Sequence, residues 1–236
     1  MSLHRSPVAG MAMLVDLSHV IESGMVTYPG LPAPLICDYL SREASRERYA
    51  PGVEFQIGRI DMVANTGTYL DTPFHRYADG RDLAAMALDC LAGVEALTVR
   101  FAAGAPRAIT RARLEAALGS REVAAHAVLV HTGWDAHWRT ERYGAANPFL
   151  TADACELLLA RGVRLVGIDS VNLDDLEDPA RPAHSMLLRA GVPIVEHLTN
   201  LAALPDAGFR FFAVPPKVAG MGSWPVRAYA EVSSEQ

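Results

Sequence analysis

"LTADACELLLARGVRLVGIDS" (150–170) reads as a helix that runs directly into a buried strand. In its first half, apolar residues recur at helical spacing after Thr151, a residue type that caps helix starts, and Gly162 ends the pattern. From Val163 the chain becomes a short apolar run bounded by turn residues, the pattern of a strand covered on both faces. "HAVLVHTG" (126–133) and "VPIVEHL" (192–198) repeat that strand pattern on either side. "VEALTVRFA" (94–102) is a further strand, followed by a helix in "TRARLEAALG" with Thr110 as its N-cap and Gly119 as its stop. The ends are β-rich: "LVDLSHVI" (14–21), "EFQIGRIDMV" (54–63) with Gly58 marking a bulge, "FRFFAVP" (209–215) and "VRAYAEV" (226–232). Helices alternating with buried strands between β-rich ends predict an α/β fold with a mixed sheet or two sheets.

No repeat, low-complexity tract or linker-like composition shift divides the 236 residues, so a single domain is expected over 1–236, with 1–12 as a disordered tail. The net charge is −6 and no basic run exists to track phosphates, which argues against nucleic acid. Cys37, Cys90 and Cys155 are odd in number and free of CxxC pairing, which suits reduced thiols in a cytosol. No apolar run approaches the roughly 18 residues of a membrane span. "SPVAGMAMLV" after His4 and Arg5 imitates a signal peptide only faintly and runs straight into strand-like sequence.

The chemistry-bearing stretch is "NTGTYLDTPFH" (65–75), which gathers a carboxamide, a phenol, a carboxylate and an imidazole around Gly67 and Pro73. Asp71 before Thr-Pro is also a ready turn former, and His75 is equally a candidate for a satisfied core histidine. Glu196 in "VPIVEHL" shares strand parity with Val192, Ile194 and Leu198. A carboxylate on an apolar strand face must be paired, protonated or metal-bound, because burying it alone is costly. His184 in "RPAHSMLLRAG" falls in the first turn of a short helix, a place where histidines also serve as caps. His131 and His137 are spaced for neither strand nor helix periodicity, and His19 and His126 read as structural. GxSxG, GxxxxGK and GxGxxG are all absent.

On these residues the chain resembles the putative cyclase family, which includes bacterial kynurenine formamidases and isatin hydrolases. Its pattern His-x-Gly-Thr-His-x-Asp-x-Pro-x-His is matched at Gly67, Thr68, Asp71, Pro73 and His75. "VDLSHVIESGMVTYPG", "HTGWDAHW", "GVRLVGIDS", "HSMLLRAGVPIVEHLTNL" and "FFAVPPKVAGMGSWPVRAYA" extend the resemblance over almost the whole chain. It implies a compact α/β domain of the swivelling β/β/α type, assembled as a homodimer or homotetramer. It also implies a metal centre at Asp71, His184 and Glu196, with His75 as the catalytic histidine. Where the family has its first two metal-binding histidines, this chain has Asn65 and Tyr69. Neither side chain replaces imidazole for zinc, so one divalent ion, Zn or Mn, is expected in a three-ligand site with an open water position.

The resulting expectation is a cytoplasmic hydrolase of an amide or related C–N bond in a small molecule. His75 would move the proton, and Tyr69 or Asn65 would donate to the developing oxyanion. Two alternatives stand beside it: a metal-free binding or regulatory relative, and a metal-independent enzyme using His75 with Asp71.

Overall fold

Val128, Leu129, Val130, Leu165, Val166, Ile168, Ile194 and Val195 are all fully buried, as continuous aliphatic runs are when both faces of a parallel sheet are covered. The computed structural model describes residues 12–28, 30–102 and 104–233; apart from residue 12, the tail expected at 1–12 lies outside the described residues. In chain order the first strands are β1 (Met13–Asp16), β2 (Leu35–Leu40), β3 (Ile57–Asp61), β4 (Tyr69–Asp71), β5 (Val94–Arg100) and β6 (Ala108–Ile109). They are followed by β7 (Ala127–His131), β8 (Phe149–Leu150), β9 (Leu165–Ile168), β10 (Ile194–Glu196), β11 (Phe209–Phe212), β12 (Ser223–Pro225) and β13 (Tyr229–Val232). The helices are α1 (Arg42–Ser45), α2 (Arg111–Leu118), α3 (Ala152–Ala160) and α4 (Pro182–Arg189).

Nine strands form one sheet in the order β1-β13-β11-β5-β7-β9-β10-β4-β12. β5, β7, β9 and β10 are parallel, and both flanks are antiparallel. The architecture is the mixed α/β fold that the sequence predicts. Strand alternation divides the core in two. Val128, Val130, Val166, Ile168 and Ile194 face Leu114 and Leu118 of α2, Leu158 of α3 and Leu187 and Leu188 of α4. Leu70, Leu129, Leu165 and Val195 face Phe211 and the irregular segments that carry Leu17, Leu201 and Leu204. Gly167 lets this second layer close on β9, because a Cβ there would lie 2.7 Å from Leu198 Cδ1 and 2.8 Å from Leu129 Cδ2.

The long elements fall where periodicity places them. Thr110 caps α2, its hydroxyl accepting from the Arg113 N–H at 3.5 Å, and Gly119 ends the helix at φ +58°. Thr151 precedes α3 as expected, but its hydroxyl turns to the Ile109 carbonyl (3.1 Å) and to Asp153 instead of a helix N–H. The irregularity expected at Gly58 lies across the ribbon, between Asp38 and Leu40 on β2, opposite Ile57 and Gly58. β1 stops at Asp16, and Ser18 makes only an isolated bridge to Leu198. Cys37, Cys90 and Cys155 are all free thiols. Among the described residues, no helix is long and apolar enough to cross a membrane.

Candidate functional site

The edge of the large sheet builds the site by register. β4 pairs antiparallel with β10 and β12, setting Tyr69 opposite Glu196 and Asp71 opposite both Ile194 and Ser223. Residues directly opposite on an antiparallel pair share a face. Leu70 turns into the core layer away from the helices, so Tyr69 and Asp71 turn the other way, toward α4. His184, the third residue of α4, completes the cluster: its Nε2 lies 3.6 Å from Asp71 Oδ2 and 3.5 Å from Glu196 Oε1. His184 therefore sits in the first helical turn, as the sequence predicts.

Asp174 fixes that helix and that imidazole together. Its carboxylate accepts from the Ala183 N–H at 2.6 Å, the His184 N–H at 3.0 Å and His184 Nδ1 at 2.6 Å. It thereby caps α4, whose own N-cap residue Arg181 supplies no capping side chain. With Nδ1 occupied, Nε2 is the nitrogen presented to Asp71 and Glu196, the arrangement by which a carboxylate orients a ligating histidine. Glu196 Oε2 accepts from the Tyr69 hydroxyl at 2.6 Å and from Asn172 Nδ2 at 3.4 Å, while Oε1 accepts from the Leu173 N–H at 2.6 Å. The Ser223 hydroxyl bonds Asp71 Oδ1 and also lies 2.8 Å from His75 Nδ1, so it links the buried acid to the exposed imidazole. The Asp71 carboxylate thus binds a neighbouring strand and forms no Asx-turn.

The cluster is charge-rich in a dry place. Burial opposes ionisation of Asp71, yet His75, His184 and Ser223 together hold its carboxyl below the usual range. Burial pushes the Glu196 carboxyl up, with His184 opposing and Asp71 reinforcing the shift. Burial disfavours the charged form of His184, but Glu196, Asp174 and Asp71 outweigh it and raise the imidazole well above its ordinary value. Burial, together with Glu196 and Asp71, keeps the Tyr69 phenol protonated, while Asn65 acts on it in the opposite sense. Next to Glu196, His197 is buried and pushed down to about 3, and its Nδ1 lies 2.9 Å from the Tyr143 hydroxyl.

The donor set fits a divalent cation. Asp71 Oδ2 is buried and, among the described residues, has no hydrogen-bond partner, although His184 Nε2, which also lies 3.5 Å from Glu196 Oε1, is 3.6 Å away. Asp71, His75 and His184 each offer a ligand atom, all within 4.8 Å of one another. Asn65 and Tyr69 line the same cavity of about 330 Å³ as His75 and His184. His131 faces Asp169 at 4.0 Å and His137 packs on Trp134, so both stay outside the cluster, and His19 stacks on Trp138. Reading the sequence missed Asp174, Asn172 and Ser223. Asp174 stands in an acidic loop that looks merely solvated, and Ser223 in a three-residue strand without a periodic signal.

The model of the putative cyclase family matches residues 15–175. A kynurenine formamidase of Bacillus cereus is 29% identical over 220 residues, covering 91% of this chain and 95% of the relative. Isatin hydrolase A from Labrenzia aggregata, solved bound to benzyl benzoate, superposes with a TM-score of 0.78 at 22% identity, over 94% of each chain. A structure described as a potential metal-dependent hydrolase with cyclase activity superposes with a TM-score of 0.73 at 24% identity, over 93% of this chain and 98% of the other.

Proposed function

We propose that this chain, which belongs to the putative cyclase family, is a metal-dependent hydrolase that opens an amide or related C–N bond in a small molecule, in the manner of the kynurenine formamidases and isatin hydrolases it is similar to. The observation that carries the reading is the grouping of Asp71, His75 and His184, with an unpartnered Asp71 oxygen and with Glu196 3.5 Å from His184, at a cavity of small-molecule size. Asp71, His184 and Glu196 would hold one ion, Zn or Mn, with His75 beside them. The bound cation supplies Lewis acidity, polarising the scissile carbonyl and making water a better nucleophile. His75 keeps Nδ1 on Ser223 and takes up and returns the proton at Nε2. Tyr69 directs its single hydroxyl hydrogen at Glu196 and so positions that carboxylate. Asn65, half-buried in the cavity wall, is then the side chain left to donate to the developing oxyanion. The enzyme acts as one domain in the cytoplasm, self-associated as a homodimer or homotetramer.

A second reading, a metal-free binding relative, draws on Asn65 and Tyr69 standing where the family has metal-binding histidines, with Tyr69 giving its hydroxyl hydrogen to Glu196. Elemental analysis and a formamide-hydrolysis assay separate the two. The hydrolase binds about one ion per chain, loses it in His184→Ala, and in His75→Ala keeps the ion while turnover falls by about 10²–10⁴-fold. Under metal-replete conditions, a protein without metal and without hydrolysis would overturn the proposal.

A further inference from the structure

A second cavity, of about 590 Å³, opens where the parallel strands β5 and β7 end, and it shares no lining residue with the one beside His184. In α/β sheets, ligands are commonly held beyond the carboxyl ends of the strands, in cavities of this size. Thr132 and Gly133, which follow β7, line it and are fixed from behind by Asp169, fully buried just after β9. That carboxylate accepts from the Thr132 N–H at 2.9 Å, the Thr132 hydroxyl at 2.6 Å and the Gly133 N–H at 2.8 Å. Trp134 comes next, and its indole is held in place because Nε1 donates to the Tyr143 carbonyl at 3.0 Å. Arg107, on the same lining, is tied to the Asn147 carbonyl at 3.2 Å and to the Asp175 carboxylate at 2.7 Å. The cavity is therefore preformed, and a ligand entering it orders little of the protein.

Its chemistry is one-sided. Phe101, Ile109 and Trp134 give it an apolar lining. Although the chain carries a net charge of −6, no carboxylate side chain lines this cavity among the described residues, whereas Arg107, His137 and Arg142 do. Asp175 balances Arg107. Arg142 instead lies over the Trp134 ring, 5.4 Å from its centroid, and the His137 ring stands edge-on to Trp134 at 4.8 Å. Among the described residues neither Arg142 nor His137 forms an ion pair with a carboxylate. A guanidinium fork matches a carboxylate in shape and charge, and a flat apolar body suits an aromatic and aliphatic wall. We propose that this cavity is a second ligand site, separate from the candidate metal centre, and that it takes a small organic anion with a flat apolar body. The body packs on Phe101, Ile109 and Trp134, and the anionic group meets Arg142 with His137 beside it.

The metal-loaded protein is titrated calorimetrically with 2-naphthoate and with 2-naphthamide, which share a ring system and differ in charge. The wild type binds one acid per chain about 3- to 10-fold more tightly than the amide, and added salt shrinks that preference. Arg142→Gln, a change at an exposed position, removes the preference and leaves the affinity for the amide close to wild type. Trp134→Leu weakens both compounds about 5-fold or more. Arg181→Gln, which alters the cavity beside His184 instead, changes neither affinity. Equal wild-type affinity for acid and amide overturns the proposal, as does the absence of binding. So does binding that weakens in Arg181→Gln but not in Arg142→Gln, because the ligand then sits beside His184. Binding that appears only when dilution yields single chains gives the cavity to a second copy of this chain and likewise overturns the proposal. Should Trp134→Leu fail to fold, an unchanged preference in Arg142→Gln is decisive against it.

Discussion

Tyr69 turns a position that resembles a metal-binding one into a clamp on a buried acid. Only Asn172, at 3.4 Å, would remain on Glu196 Oε2 without it. Tyr69→Phe is therefore expected to destabilise the fold by about 1–3 kcal/mol, read as a lowered thermal midpoint, because a buried acceptor loses its partner. An unchanged midpoint would show that this contact does not hold Glu196. At the same scale, His19 sets a pH dependence. Burial against Trp138 pushes its pKa down from 6.5 to about 4, with Asp135 opposing. A folded pKa below the unfolded value gives stability that is present above about 6.5 and lost as pH falls through 4. For a half-buried side chain, the loss is on the order of 1–2 kcal/mol. His19→Phe keeps a ring on Trp138 without the titration, so its stability should fall less between pH 6.5 and 4. Parallel curves for the two proteins would refute this origin.

At the scale of elements, legibility followed length. The helix and strand read from "LTADACELLLARGVRLVGIDS" appear as α3 and β9 because their apolar pattern spans enough residues to have a period. β4 and β12 carry Asp71 and Ser223 but are three residues each, too short for alternation to distinguish them from turns. Within β9 the sequence shows a glycine in a strand but not why it must be one. Its missing Cβ is the space that Leu129 and Leu198 fill, so Gly167→Ala should cost about 1–3 kcal/mol through overpacking, measurable by denaturant unfolding. A neutral substitution would mean that the two leucines have room to retreat.

Across the whole molecule, the β2–β3 ribbon is the part that the described residues leave uncovered. Leu35, Ile36, Tyr39, Ile57 and Ile60 are all exposed on it. A two-stranded ribbon alone is marginally stable in water, and its exposed apolar side chains support the proposed self-association. Light scattering at micromolar concentration is expected to give a multiple of the chain mass, and Ile36→Lys combined with Ile60→Lys to reduce it. A monomeric wild type would remove the proposal of self-association.

By itself the sequence determined the α/β class, the helices with their Thr and Gly boundaries and the apolar face that carries Glu196, which are local or periodic properties, while Asp71, His75 and His184 became candidates through the family resemblance. The tertiary structure decided what those residues meet. Asp174 reaches His184 from a separate loop, Ser223 meets Asp71 across 152 positions of chain, and Tyr69 meets Glu196 across 127. Arg181 and Arg76 likewise become neighbours of one cavity only in three dimensions. Such contacts depend on strand order and register, which no local pattern encodes, because pairing partners are chosen by the global packing of the sheet.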